Sequence, residues 1–528
     1  MWAVKLRMRF RLLAERRNFE IKLSTSMAQH DLIVIGAGIG GLTVAALMQA
    51  RGLSTLTFEQ HTVPGGSASL FRKKGYTFDA GASMFYGFGT NEQSGTLNLH
   101  TRIFQRLGIH VPTIHDPVQI HYHLPNGFEV ATHYEREKFL AELIARFPNE
   151  ADGIRKFYDE LEKVFDIIST FPAGSLEDPR HLASLAFKYP KKVAMLSYYT
   201  FKSMGEVARS FIKNEELLRF IDIECESWAL QDANATPFVN AGICLADRHH
   251  GGIRYPVGSS GAIAKALVDG IRKFGGTVKF GQTVEEILVR NGRALGVRLA
   301  NGDEHYAKAV VSNATIWDTF GYLVKDERYR IDDSKFEISP SWFQLHLGVD
   351  ASVFPEGFHV HHIIVEDWKT YRELGGTIRF SAPSLLDRTC APEGKHTLHV
   401  FTTSTVDEWK KRYPKDEEYE AAKARAAEAL IRRTEKILPN LSSAIERSYI
   451  ATPLTHKRYL KRYRGSYGPL LKKGQILLQK PQNSTPIKNL YAVGDSCFPG
   501  QGVIAVTYSG ISCVHLLCRK FGLPVEYL

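Results

Sequence analysis

Apolar positions along the chain fall in two rhythms, and their alternation predicts its organisation. Leu32 to Ile35 is a short β-branched run of the kind that forms a buried parallel strand. Helical spacing follows from Gly41 to Ala50, Gly52 ends it, and a second strand, Leu56 to Phe58, leads into Glu59. In the middle of the chain this βαβ rhythm is lost. Phe139 to Arg146 and Ile154 to Phe165 read as amphipathic helices with Pro148 between them. The rhythm returns as a helix from Gly258 to Phe274 and a strand from Thr277 to Phe280. A hairpin of Val284 to Arg290 and Ala294 to Leu299 turns at Asn291-Gly292, and Ala309 to Ser312 is a further buried strand. Ser341 to Val349 and Thr397 to Thr403 alternate as strands and imply an antiparallel sheet in a second domain. Glu417 to Leu438 is a charged, partly solvated helix. Leu490 to Val493 is a last short strand, with a helix from Val503.

Glycines punctuate the first and last of these units in a way that points to chemistry. Gly36, Gly38 and Gly41 stand in G-x-G-x-x-G spacing between strand and helix. That spacing supplies a tight turn, close approach to a pyrophosphate and close helix–strand packing. The free N–H groups and positive dipole end of the helix suit phosphates. Glu59, 18 residues past Gly41, stands where an acid accepts hydrogen bonds from a ribose diol. Strand, glycines, helix, strand and acid in that order predict a dinucleotide site. Pro64-Gly65-Gly66-Ser67 adds a second glycine turn. Gly494-Asp495, with Gly500 and Gly502 before the last helix, repeats the opening logic, so both ends of the chain build the site. Gly75 to Gly89 alternates small residues with aromatics, as an ordinary hairpin or as backbone passing close to a flat cofactor. A second G-x-G-x-x-G is missing, and with it any sign of a separate nicotinamide domain.

Composition narrows the remaining classes. The 528 residues are 44% hydrophobic and 23% charged, which suits a globular protein of two or three packed units. The six cysteines include no C-x-x-C pair and read as free buried thiols. Net charge is +11, but residues 1–26 alone carry +5, from Lys5, Arg7, Arg9, Arg11, Arg16, Arg17 and Lys22 against Glu15 and Glu20. The rest is too diffuse for a nucleic-acid footprint, so no nucleic-acid partner is expected. The leader reads equally as an organelle-targeting remnant or as an upstream start before Met27. Ser496 to Cys518 is uncharged, yet its Pro, Gly, Ser and His residues fit a helix buried within the protein better than a membrane span. The 181–213 stretch mixes Phe, Tyr, Met and Leu with Lys and Arg. It suits a membrane surface, or a solvated helix pair over the core. His456 to Pro469 is a second basic, aromatic patch, weak as a sign of phosphate or nucleic acid.

At this point the chain resembles a known family. The glycine fingerprint with Glu59, P-G-G-S-A, G-Y-x-F-D-x-G-A-S-M and the terminal V-G-D-S-x-F-P-G-Q-G resemble the flavoproteins of the phytoene desaturase and amine oxidase superfamily. Asp116 to Gly127, Phe220 to Cys225 with Trp228, Asp247 to Pro256, Val310 to Gly321, Phe343 to Val349 and Phe498 to Gly502 resemble its carotenoid isomerases. The resemblance implies an α/β protein: a Rossmann-like FAD-binding domain assembled from discontinuous segments, with an α+β substrate domain. FAD segments would be 29–115, 251–325 and 446–528. Substrate segments would be 116–250, facing a membrane, and 326–445, with 1–28 as leader. Gly36, Gly38 and Gly41 would hold the pyrophosphate, Glu59 the ribose, and Gly65 and Gly66 would lie along the cofactor. Val284 would contact adenine, Gly494 and Asp495 phosphate or ribityl groups, and Gly502 and Val503 the flavin ring.

The activity implied is cis–trans isomerisation of a carotenoid, of the poly-cis-lycopene to all-trans-lycopene type. It would use FAD in its reduced form, an external electron donor to reduce it, and no net redox. The place implied is a plastid or photosynthetic membrane surface, or the cytoplasmic face in a prokaryote. The wording departs from the isomerase pattern around Ser227 and Ala229 and at Gly502 to Ala505. A desaturase or retinoid-type saturase on the same frame is the alternative, and a lipid-carrying escort protein the third class. The intact ribose acid argues against the last. Glu224 and Asp247 are candidate polar groups near the substrate, more readily buried satisfied acids, and no catalytic side chain is assigned. The clusters His121/His123, His249/His250 and His359/His361/His362 lack a paired carboxylate shell in sequence and are read as strand or loop residues, not as a metal site.

Overall fold

A computed structural model describes residues 29–89, 97–471 and 480–527, so the basic leader lies outside the described residues. His30–Ile35 and Thr55–Phe58 are strands flanking a helix, Ile39–Gln49, in which every residue is buried. The helix starts two residues before the expected Gly41, because Gly38, extended at ψ 167°, already acts as its N-cap. Burial on all sides follows from two further helices, Gly261–Lys273 and Val503–Phe521, which pack against it. Its mixed Leu, Val, Ala and Met surface suits that environment better than a one-sided stripe would.

Five parallel strands form the first sheet, in the order Leu490–Ala492, Glu304–Ser312, His30–Ile35, Thr55–Phe58, Thr277–Lys279. Val34 pairs with Thr57 on one side and Val311 on the other. The hairpin Val284–Arg290 and Arg293–Leu299 joins through the first half of Glu304–Ser312. Its turn has positive φ at Asn291 and Gly292, as a two-residue connection between twisted strands requires. The carboxyl ends of Ile35, Phe58, Ser312 and Ala492 share one edge of the sheet, the edge at which ligands bind in open parallel sheets.

The second sheet has seven strands: Ile445–Ala451, Ser341–Asp350, Lys395–Ser404, Thr377–Ser381, His361–Val365, Val118–Leu124 and Phe128–His133. Neighbours are antiparallel as expected, with one correction. His361–Val365 and Val118–Leu124 run parallel, His362 opposite His121. No hairpin joins strands so distant in sequence, so nothing local imposes antiparallel pairing there. Val406–Arg412 and Asp416–Thr434 cover one face over Phe343, Leu345 and Val400. A helical layer built from Arg136–Arg146, Ala151–Thr170, Glu215–Ala229 and Phe238–Ala246 packs against Ile120, Tyr122 and Leu124.

The basic, aromatic stretch is three helices, Pro179–Lys188, Pro190–Thr200 and Met204–Phe211. Phe187 is 89% exposed, and Leu182, Met195, Tyr198 and Phe201 are exposed with it. Among the described residues no helix is long and apolar enough to cross a membrane. The uncharged C-terminal stretch is the Val503–Phe521 helix, buried along much of its length.

Candidate functional site

Backbone geometry makes the first part of the site. Gly36 has φ 91°, open to glycine and strained for other residues. Gly65, at φ 113°, donates its N–H to the Ala37 carbonyl at 2.8 Å, which lays the second glycine turn along the first. A Cβ on Gly65 would stand 2.5 Å from the Ala68 carbonyl oxygen, and one on Gly66 3.6 Å from the Gly38 Cα. Gly41 is different. It does not line the cavity; a Cβ there would meet the Gly36 carbonyl at 2.5 Å, so its smallness serves helix–strand packing. Its N–H donates to Asn313 Oδ1 at 3.1 Å. Asn313 follows the Glu304–Ser312 strand and fills the hollow under Gly36, Gly38 and Gly40.

Glu59 closes this cradle. Its carboxylate accepts from the Ala37 N–H at 2.7 Å and the His61 N–H at 2.8 Å. Burial nonetheless pushes its pKa above the ordinary carboxylate range. Val284, at the start of the hairpin, is buried beside it on the cavity wall. At the other end, Gly494 and Gly502 have φ 106°, and Gly502 caps the Val503–Phe521 helix without a side-chain hydrogen bond. Neither this helix nor Ile39–Gln49 has an acidic residue in its first turn, so two uncapped positive helix ends face one cavity.

Asp495 pairs with Arg462, which also donates to the Ser466 carbonyl and lies 4.6 Å over the Tyr467 ring. Sequence reading missed Arg462, seeing only a diffuse basic patch; the fold turns that one charge inward. Lys480 was missed too. It donates to the Pro499 carbonyl at 3.0 Å, and burial lowers its pKa to about 7. Asn313 lies in the Val310 to Gly321 stretch and Arg462 in the His456 to Pro469 patch, but nothing in the sequence singled out either residue or Lys480.

The cradle opens without interruption into an apolar chamber, and the whole cavity encloses about 1390 Å³. A pocket for one small molecule holds roughly 300–1,000 Å³, so this one has room for a dinucleotide and a second ligand. Leu185 and Leu196 come from the basic, aromatic helices, Val239 and Ile243 from the helical layer, and Trp342 and Phe401 from the second sheet. Trp228 lines it at the junction: its carbonyl accepts from Gln501 Nε2 at 3.0 Å, and its ring meets Tyr86 edge-on at 5.3 Å. Arg379 brings a charge into this wall. Arg379 pairs with Glu226, both nearly buried, and lies 5.1 Å over Trp342. Sequence reading named neither, since they lie about 150 residues apart on a strand and a helix.

The two suspected acids separate. Glu224 is fully buried away from the cavity, bound to Arg248 at 2.6 Å and to the Tyr158 hydroxyl at 2.9 Å. It is the satisfied core acid. Asp247 does line the cavity; its Oδ1 has no partner, and burial raises its pKa to about 7. Of the histidine clusters, His249 and His250 turn to Tyr134 and Glu162. His121, His123 and His362 converge across the parallel strand pair.

A glycine cradle at the edge of a parallel sheet, opening into an apolar chamber under a mixed sheet, defines a two-domain α/β architecture with a Rossmann-like dinucleotide-binding domain. Solved structures agree. An oxidoreductase from Methanosarcina mazei superposes with TM-score 0.59 at 19% identity, over 91% of this chain and 99% of that one. Putrescine oxidase bound to putrescine gives 0.58 at 13%, over 93% and 98%. Residues 34–97 match the model of an NAD(P)-binding Rossmann-like domain. Prolycopene isomerase of Arabidopsis thaliana, a chloroplastic protein, is 43% identical over 94% of this chain and 83% of its own length. That of Daucus carota is 43% identical over 94% and 81%. A lycopene-forming phytoene desaturase of Pseudescherichia vulneris is 26% identical over 92% and 98%. The chain belongs to the prolycopene isomerase family.

Proposed function

We propose that this protein is a flavin-dependent carotenoid isomerase that converts a poly-cis polyene of the prolycopene type to the all-trans form. The observation that carries the proposal is the continuity of the cavity. One unbroken space of about 1390 Å³ joins a dinucleotide cradle to an apolar chamber. FAD fits the cradle: Gly36, Gly38, Gly65 and Gly66 leave room for backbone approach, and Glu59 stands for the ribose. Val284 would contact adenine, Gly494 and Asp495 phosphate or ribityl groups, and Gly502 and Val503 the ring. Gly41 supports the cradle from behind.

Rotation about a polyene double bond requires its π order to fall and return. Reduced flavin bound beside the chamber would supply that change reversibly, with no net redox. The chain's own residues supply shape and dryness. Leu185, Leu196, Val239 and Ile243 exclude water and leave a straightened product fewer polar contacts to break. Arg379, held by Glu226 and Trp342, fixes a positive charge in the chamber wall, where low polarity strengthens its effect on any charge developing along the polyene. An external donor is needed to reduce the flavin. The exposed Phe187, Tyr198 and Phe201 and their neighbouring lysines suit peripheral docking on a membrane that stores the substrate. The chloroplastic relatives support a plastid location.

Purified protein reduced once, stoichiometrically and without oxygen, should convert poly-cis-lycopene in liposomes far in excess of its flavin, at unchanged mass. Oxidised flavin should be inactive. A product differing by two hydrogens, formed only in step with donor or acceptor, would overturn the isomerase reading and favour a desaturase or saturase.

A further inference from the structure

The strand Val118–Leu124 turns Ile120, Tyr122 and Leu124 into the helical layer and His121 and His123 to the opposite side. His362 opposes His121 across the parallel pair, and Glu129 opposes His123 across the antiparallel one. One ring nitrogen from each of His121, His123 and His362 lies within 4.8 Å of the other two. Nitrogen separations around a four-coordinate zinc-type ion are roughly 3.3 Å, from Zn–N bonds of about 2.05 Å. His123 Nε2 and His362 Nδ1 already stand 3.0 Å apart.

The partners of these two rings fix where their protons are. His362 Nε2 lies 2.9 Å from the His359 carbonyl, which only accepts, so Nε2 carries the hydrogen and Nδ1 is a lone pair. His123 Nδ1 lies 3.2 Å from the Glu129 carboxylate, which also only accepts, so its Nε2 is a lone pair too. Two lone pairs thus face each other at hydrogen-bond distance. They repel unless a cation stands between them. A proton would bridge only these two nitrogens, whereas a third, on His121, lies within 4.8 Å of both. A metal ion uses both lone pairs at once, and the carbonyl and carboxylate become the outer hydrogen-bond partners typical of metal-bound histidine.

We propose that His121, His123 and His362 bind one borderline divalent ion of the zinc type. Stacking between Phe358 and Phe380, at 4.3 Å and 4.5 Å, holds the His362 ring in place. His121 is more exposed and closes the set by a small side-chain rotation; its Nε2 lies 3.6 Å from Glu129 Oε2, which is near enough to supply the fourth ligand. Exposure of Glu129 gives the ion a way in. The ion would tie together strands more than 200 residues apart in sequence and so act on stability.

The test uses full-length, chelator-treated protein without a histidine tag, titrated with Co²⁺ alone and then with Zn²⁺. One Co²⁺ per chain should bind with the intense visible absorption of a four-coordinate site of three nitrogens and one oxygen, and Zn²⁺ should displace it. Excess Zn²⁺ should also raise the melting midpoint. In His121→Ala/His123→Ala the affinity should fall at least tenfold and the Zn²⁺-dependent shift should vanish. His121→Gln, at the exposed position, repeats the measurement with little risk to folding and should weaken binding severalfold. A spectrum of octahedral aqueous Co²⁺, or equal affinity in wild type and in either folded variant, would overturn the site. A shared proton between His123 and His362, seen by NMR in protein that takes up no metal, would do the same.

Discussion

The Glu59 carboxylate accepts the backbone N–H of Ala37, between the first two glycines of the fingerprint, at 2.7 Å. The acid at the end of the second strand is thereby tied to the turn after the first, and its other oxygen holds the His61 N–H. Removing the charge weakens both bonds and the one expected to a ribose. Glu59→Gln should cost roughly 1–3 kcal/mol of FAD affinity, the size of a hydrogen bond to a charged group. Fluorescence of released flavin during dialysis measures it, and unchanged retention would refute the assignment.

Two glycine replacements separate cradle from scaffold. Gly65→Ala forces a Cβ to 2.5 Å from the Ala68 carbonyl at a strained φ, within the cavity wall, so protein that folds should purify without flavin. Gly52→Ala meets nothing within 4 Å. It should cost only about 1 kcal/mol for its φ of 86° and keep flavin content normal. Equal flavin loss in both would contradict the placement of the second glycine turn.

The Arg379–Glu226 pair predicts a lopsided stability pattern. Arg379→Met alone leaves a buried, unpaired carboxylate, a loss of about 3–5 kcal/mol. Combining it with Glu226→Met should restore most of that stability. Urea melts read the difference. Activity should stay low in the refolded double variant if the positive charge takes part in the reaction, while flavin content remains normal.

Asp247 predicts a pH effect with a definite sign. Desolvation raises its folded pKa to about 7 from 3.8. Between those values the folded state holds the extra proton, so its contribution to stability is complete below about pH 4 and is lost as pH rises to about 7. Asp247→Asn should therefore flatten the falling limb by up to roughly 1.4 kcal/mol per pH unit across that window. Parallel curves for wild type and variant would show that Asp247 stays ionised when folded.

The proposed membrane docking rests on the exposed rings of residues 179–201. Phe187→Asp/Phe201→Asp should reduce co-sedimentation with anionic liposomes severalfold and leave the melting midpoint unchanged, because the rings touch water (89% and 56% exposed). Binding of the wild type should weaken as salt rises.

What the sequence determined by itself was local. Strand, glycine spacing, helix and acid between Leu32 and Glu59 each follow from short-range sterics and burial pattern, and they place Gly36, Gly38 and Glu59 with no help from the rest of the chain. The same holds for Gly494, Gly502 and the Asn291-Gly292 turn, whose positive φ few other residues accept. Tertiary structure decided everything that needs two distant segments to meet. Asn313 fills the fingerprint from 272 residues beyond Gly41, and Arg462 reaches Asp495 out of a stretch that looked merely basic. Arg379 meets Glu226 where the second sheet meets the helical layer, and His362 meets His121 and His123 because Val118–Leu124 pairs with His361–Val365. Side-chain periodicity states which face of a strand is buried. Which strand lies beside it, and in which direction, is settled by the packing of whole layers, and on that choice the chamber wall and the histidine cluster both depend.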